Sequence, residues 1–199
     1  MTTAIIDTST ANISSVRYAL ERLGARYRLT ETPEEAEACD RIILPGVGAA
    51  GPAMKRLQET GWAQALKTDQ RPLLGVCLGM QLLFEYSVES DCDLLGLIPG
   101  RIERLDPGAD GPWPHMGWNT LSPVKADEPL LEGVASGAHV YFVHGFYAPV
   151  GSYTSASTRY GTPITAIARK GHVAGCQFHP ERSAKTGAQI LTNFVKGAA

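Results

Sequence analysis

The stretch that most restricts how this chain can fold is Arg71 to Glu89, RPLLGVCLGMQLLFEYSVE. Pro72 to Val76 make a short apolar run suited to a buried strand, and Leu78, Leu82, Leu83 and Tyr86 then recur at helical spacing. Gly75 and Gly79 stand on either side of Cys77. A sharp strand-to-helix turn needs small residues there, because a Cβ at either place would obstruct close backbone approach. The pattern is the cysteine form of a nucleophile elbow, which lifts its central side chain clear of the sheet. It also sets the sulfur near a helix N-terminus, where partial positive charge favours thiolate over thiol. An inert buried cysteine is the commoner fate of such a residue, and the pattern alone leaves both readings open.

The remaining segments predict the sheet into which that turn fits. Thr3 to Asp7 read as a strand, and Ile13 to Leu23 as an amphipathic helix with Asn12 as N-cap and Gly24 as stop. Tyr27 to Thr30 form a second strand, and Thr32-Pro33-Glu34-Glu35 carries the cap, proline and acids of a helix start. Arg41 to Leu44 give a third strand, which ends in Pro45-Gly46-Val47-Gly48. Helical spacing resumes through Met54 and Leu57. Strands alternating with helices predict an α/β fold with a mostly parallel central sheet and helices on both faces. Ligands of such sheets bind at the carboxyl ends of the strands. Both the glycine loop and the Cys77 turn fall there, so backbone amides of Gly48 and Leu78 could form an oxyanion pocket. An ordinary turn would look the same, and spacing does not decide between them.

After Asp91 the texture changes to shorter β-like runs at Gly100 to Leu105, Gly117 to Leu121, Val140 to His144, Tyr153 to Arg159 and Ile164 to Lys170. Composition shows no break among them, so these antiparallel additions are expected to extend or flank the same sheet in one domain spanning 1–199. Ile190 to Val195 belong to an amphipathic terminal helix.

Charge and cysteine usage narrow the function further. A net charge of −2 over 199 residues, with scattered Lys and Arg, gives no basic field for nucleic acid. Asp7 interrupts the first apolar run, and no stretch is long enough to cross a bilayer, so a soluble cytoplasmic chain is expected. Cys39, Cys77, Cys92 and Cys176 show no Cys-x-x-Cys spacing, which leaves zinc and redox motifs unsupported. Neither a metal nor a cofactor is expected.

The other chemistry lies at Gly175-Cys176-Gln177-Phe178-His179-Pro180-Glu181. In an extended segment residues two apart face the same side, so His179 and Glu181 can leave the strand end together. An acid that holds a base in one tautomer would complete a Cys-His-Glu relay with Cys77. Of the five histidines, His139 and His172 have no useful neighbours, whereas His115 and His144 sit in distinctive segments.

Taken together, PGVG at Pro45, GVCLGMQLLFEYSVE at Gly75, PHMGWN at Pro114, YFVH at Tyr141 and GCQFHPE at Gly175 resemble the class I (triad) glutamine amidotransferases nearly end to end. Within that family they are most similar to the glutaminases that serve histidine biosynthesis. The resemblance implies a flavodoxin-like sheet in which Cys77 attacks the side-chain amide of glutamine. His179 would pass the proton to departing ammonia, Glu181 would orient His179, and water would hydrolyse the thioester. It implies Gln81 and Glu89 as holders of the glutamine amino acid moiety. Backbone at Val47, Gly48 and Leu78 would stabilise the oxyanion, and His144, Gly145 and Phe146 would line the substrate site.

The same resemblance implies that ammonia passes to a (β/α)₈-barrel cyclase subunit, which faces Met116, Trp118, Tyr141 and Arg182, with Asn12 beside them. The chain also departs from the family's pattern. Thr8 to Ala11 replace a common Tyr-Gly-x-Gly, Gly145 stands where Ser or Thr is frequent, and Arg182 replaces a frequent Lys. None of these touches the relay; they bear on glutamine affinity and the interface. Two alternatives remain, a glutaminase serving another ammonia acceptor and an inactive docking subunit.

Overall fold

The computed structural model describes residues 1–8 and 13–197. Asn12, expected as a helix cap and partner contact, lies outside the described residues, as do Ser9, Thr10 and Ala11 of the departing loop. The chain opens as strand β1 (Thr2–Ile6), helix α1 (Ile13–Arg22), β2 (Arg26–Thr30) and β3 (Arg41–Gly46). Helices α2 (Ala50–Glu59) and α3 (Trp62–Thr68) lead to β4 (Leu73–Cys77) and the short α4 (Leu78–Gln81). Short strands β5 (Tyr86–Ser87), β6 (Cys92–Asp93) and β7 (Arg101–Arg104) follow. Next come β8 (His115–Thr120), β9 (Ser122–Pro123), β10 (His139–His144) and β11 (Phe146–Tyr147). The chain closes with β12 (Thr154–Tyr160), β13 (Thr162–Lys170), β14 (Val173–Cys176) and α5 (Ala184–Lys196).

Eight strands form the main sheet in the order β2-β1-β3-β4-β14-β13-β12-β9. From β2 to β14 all neighbours are parallel, and β13, β12 and β9 continue antiparallel. The run β2-β1-β3-β4 is the order of a doubly wound sheet, with β14, the last strand among the described residues, in the fifth place. Side-chain alternation explains why both faces are covered. Ala4, Ile6, Ile42 and Leu44 point into a core with Met54, Leu57 and Trp62 of α2 and α3. Ile5 and Ile43 point into a second core with Val16 and Leu20 of α1 and Ile190 and Phe194 of α5. Each fully buried side chain of this kind stabilises the fold by roughly 1.5–3 kcal/mol.

The antiparallel additions divide. β9, β12 and β13 extend the sheet as expected, whereas β8 pairs only with β10, and β11-β7-β5-β6 form a separate small sheet. Two expected helices are curtailed. Thr32 to Glu35 begin only a single 3₁₀ turn, Glu34–Ala36, because β3 starts at Arg41. The helix after Cys77 stops at Gln81, since Leu82, Leu83 and Phe84 all turn into the core and the chain re-extends at Tyr86. Among the described residues no helix is long and apolar enough to cross a membrane.

Candidate active site

Cys77 ends β4 with φ 54° and ψ −111°, a conformation rare for a residue with a Cβ. Such strain costs on the order of 1–3 kcal/mol and persists only where its surroundings enforce it. Here the enforcement is backbone packing. A Cβ on Gly79 would stand 1.8 Å from the carbonyl oxygen of Leu44, and one on Gly75 would stand 2.6 Å from that of Gly79. The turn therefore lies pressed against β3, as the two glycines predict. Because α4 is one turn long, little helix dipole acts on the sulfur. Its electrostatic partner is a side chain.

That partner arrives on β14. The parallel register pairs Gly175 with Gly75 and Cys176 with Val76, so the residues after Cys176 emerge beside Cys77. The expected extended pairing of His179 and Glu181 is corrected: His179 precedes a 3₁₀ turn, Pro180–Arg182, that contains Glu181. The turn, not strand alternation, brings Glu181 Oε1 within 2.8 Å of His179 Nδ1. With Nδ1 engaged, Nε2 is the ring nitrogen left for Cys77, which lines the same cleft and whose Sγ donates to Val143 O at 3.6 Å. Burial disfavours the imidazolium, but hydrogen bonds to Cys77 and Glu181 and their charges outweigh it, and His179 is raised to about 10. Glu181 is itself buried and its Oε2 has no hydrogen-bond partner, so the proton on His179 is the main compensation for its charge.

Val47, Gly48, Cys77, Leu78, Gln81, Glu89, His144, Gly145, Phe146 and His179 line one cleft of about 170 Å³. A wider hollow of about 450 Å³ between α1 and α5 shares none of these residues and meets the relay only at Glu181, so the larger space is not where the chemistry converges. Gly48 has φ +91°, a glycine conformation, at the mouth of the expected oxyanion pocket. Gln81 is buried, and its Nε2 donates to Phe146 O at 2.8 Å and to Gln177 Oε1 at 3.0 Å. Both amide hydrogens are thereby committed, which leaves Gln81 Oε1 as an acceptor. Glu89 does not continue a helix as expected; it follows β5 and accepts from the Ala50 amide at 3.1 Å. Two acceptors in one cleft suit a substrate ammonium.

His144 lines the cleft, yet both its ring nitrogens have protein partners, His115 and the Phe146 carbonyl. Its ring is a support and not a free ligand. A Cβ on Gly145 would lie 2.5 Å from the Trp113 ring, so a side chain there requires that ring to move. Gln177 was not singled out by sequence reasoning. Fully buried, it directs Nε2 at Cys77 Sγ, 4.0 Å away, and accepts from Gln81. Its position two residues before His179 on a strand end was the available signal.

Of the residues expected to face a partner, Met116, Trp118, Tyr141 and Arg182 form one patch. Met116 and Trp118 are 63% and 53% exposed, which shows Trp118 is no core aromatic. Tyr141 sits edge-on to Trp118 at 5.8 Å, and the Arg182 guanidinium lies 5.3 Å above the Tyr141 ring.

A doubly wound sheet that presents a buried Cys-His-Glu set is what the class-I glutamine amidotransferase family shares, and that family's model matches residues 4–198. The chain belongs to this family. Within it, the chain is 50% identical over 193 residues to imidazole glycerol phosphate synthase subunit HisH of Xanthomonas campestris pv. campestris, covering 97% of this chain and 96% of that one. HisH of Xylella fastidiosa is 51% identical over the same length and coverage. These values place the chain in the HisH branch. A crystal structure of a glutamine amidotransferase superposes with a TM-score of 0.74 at 22% identity, covering 97% of each chain, and supports the fold.

Proposed function

We propose that this chain is the glutaminase subunit of imidazole glycerol phosphate synthase, a single amidotransferase domain of residues 1–199 acting in the cytoplasm for histidine biosynthesis. Its partner is a (β/α)₈-barrel cyclase subunit, docked on Met116, Trp118, Tyr141 and Arg182 to form a heterodimer. The observation that carries the reading is a cysteine on one strand end meeting a His-Glu pair from the neighbouring strand inside a cleft with unspent acceptors.

Cys77 sulfur attacks the side-chain amide carbon of glutamine, and the carbonyl oxygen takes the negative charge against the backbone of Leu78, Val47 and Gly48. His179 gives its proton to the departing ammonia as the C–N bond breaks and the γ-glutamyl thioester forms. Water then attacks that thioester, His179 takes the water's proton, and the thiolate leaves, releasing glutamate. Glu181 keeps the imidazole in one orientation throughout. Gln81 Oε1 and Glu89 receive the substrate ammonium. Ammonia passes to the cyclase, which makes imidazole glycerol phosphate and aminoimidazole carboxamide ribotide. Acyl transfer of this kind requires no cofactor.

The test mixes the protein with the cyclase and follows glutamate formation with and without cyclase ligand. Stimulation that is abolished in Cys77→Ala supports the reading. A glutamine-analogue electrophile that failed to label Cys77 in the ligand-bound complex would make this a docking subunit. Stimulation by a different synthase alone would reassign the acceptor.

A further inference from the structure

The catalytic reading leaves two buried histidines unused. His115 opens β8 and His144 closes β10, and the antiparallel register sets them opposite one another. His115 Nδ1 lies 3.0 Å from His144 Nε2, and His144 Nδ1 lies 2.9 Å from Phe146 O. At the far end Asn119 Nδ2 is 3.4 Å from His115 Nε2 and also donates to Arg159 O at 2.9 Å.

The direction of every proton follows from the carbonyl. Phe146 O can only accept, so His144 carries its proton on Nδ1. Nε2 of a neutral His144 is then bare and must accept from Nδ1–H of His115. His115 Nε2 is bare in turn and faces an amide nitrogen that can only donate. The chain therefore runs one way, Asn119 to His115 to His144 to Phe146 O. A second proton on His144 would set N–H against N–H, and burial opposes it too: His115 is pushed down to about 4 and His144 to about 3.

The chain ends on an atom that matters to the cleft. Phe146 O also accepts from Gln81 Nε2, and that bond helps turn Gln81 Oε1 toward its role as acceptor. Of the chain's other members His144 lines the cleft with both ring nitrogens engaged, whereas His115 and Asn119 are not among its lining residues; His115 is stacked between Phe142 and Tyr160, with ring centroids 4.8 and 4.1 Å away. We infer that His115 and His144 are positioning residues for glutamine, a one-way hydrogen-bond chain that fixes Phe146 O and through it the Gln81 amide. The inference rests on the glutaminase reading for the identity of the substrate.

His115→Phe tests it in the assembled complex, because a phenyl ring keeps the stack and loses the Nδ1 donor to His144 together with the Nε2 acceptor for Asn119. KM for glutamine should rise about tenfold, the loss expected of one buried hydrogen bond, with kcat within about twofold. His115→Asn, whose amide can replace the Nδ1 donor, should return KM toward that of the parent. Alkylation of Cys77 by iodoacetamide, which needs no ammonium site, should proceed at the parent rate. If His115→Phe lowers kcat and the alkylation rate besides raising KM, the residue is merely structural and the inference falls. Nitrogen-15 spectra of the imidazoles should show both rings neutral and protonated at Nδ1 near pH 7. An Nε2–H tautomer at His144 overturns the chain whatever the activity. Absence of glutamate formation by the parent complex would instead sink the glutaminase reading, and the spectra would still decide the chain.

Discussion

The two walls of the cleft are held by different forces. Behind Cys77, backbone lies against backbone, with glycines at Gly75 and Gly79 where no Cβ fits. Opposite, Gly145 to Tyr147 pair by backbone with β7 and the Leu105 amide, and side chains hold them as well. Trp113 Nε1 donates to Gly145 O at 2.9 Å, Arg104 lies 4.8 Å over the indole, and Gln81 and His144 converge on Phe146 O. Close repulsive contact tolerates almost no change, whereas hydrogen bonds and rings can be adjusted one at a time. The nucleophile thus sits on the unyielding wall and recognition on the adjustable one.

The largest effect should come from breaking the first wall. Gly79→Ala drives a Cβ into the Leu44 carbonyl and should lower stability by about 3 kcal/mol, read as a fall in urea midpoint. Next is the proton between the walls. Glu181→Gln removes one of the two groups that raise His179, so kcat should drop about 10²-fold. The parent loses the imidazolium, and with it the proton for ammonia, as pH rises through about 10. In Glu181→Gln this alkaline limb of the rate profile should move to lower pH.

A smaller effect sharpens the second wall. His115 and His144 are held well below an unfolded histidine's value near 6.5, so below that pH the unfolded chain binds protons the folded one refuses. Stability should fall from about pH 6.5 to about pH 3. His115→Phe should reduce proton uptake on unfolding at pH 5 by about one, measured from the pH dependence of urea stability. Smallest is Gly145→Ala, whose Cβ meets a partly exposed ring that can swing aside. A cost of about 1 kcal/mol should vanish in the Trp113→Ala background, and a cost that persists there would deny the adjustability of this wall.

The sequence made one wall legible and hid most of the other. Gly75, Cys77 and Gly79 announced a strained turn because a local clash needs only adjacent residues to be read. The alternating strands and helices up to Cys77 likewise announced the parallel sheet. The four-residue length of α4 was invisible, since Leu82, Leu83 and Phe84 fit helical spacing as well as a turn into the core. Gln177 and the His115–His144 contact depend on how β14 meets β4 and β8 meets β10, pairings that no local pattern encodes. Glu181 was read as the orienting acid for the wrong local reason, strand alternation in place of a 3₁₀ turn.

The position of β14 has a consequence for how the molecule is made. It is the last strand among the described residues, and it enters the sheet beside β4 instead of at an edge. During synthesis the polypeptide up to Lys170 leaves one side of β4 without a neighbour and holds Cys77 without the His179–Glu181 pair. Such a nascent chain has an open seam that other extended segments can occupy. Its sulfur gains its partner only when the segment through Glu181 has also left the ribosome.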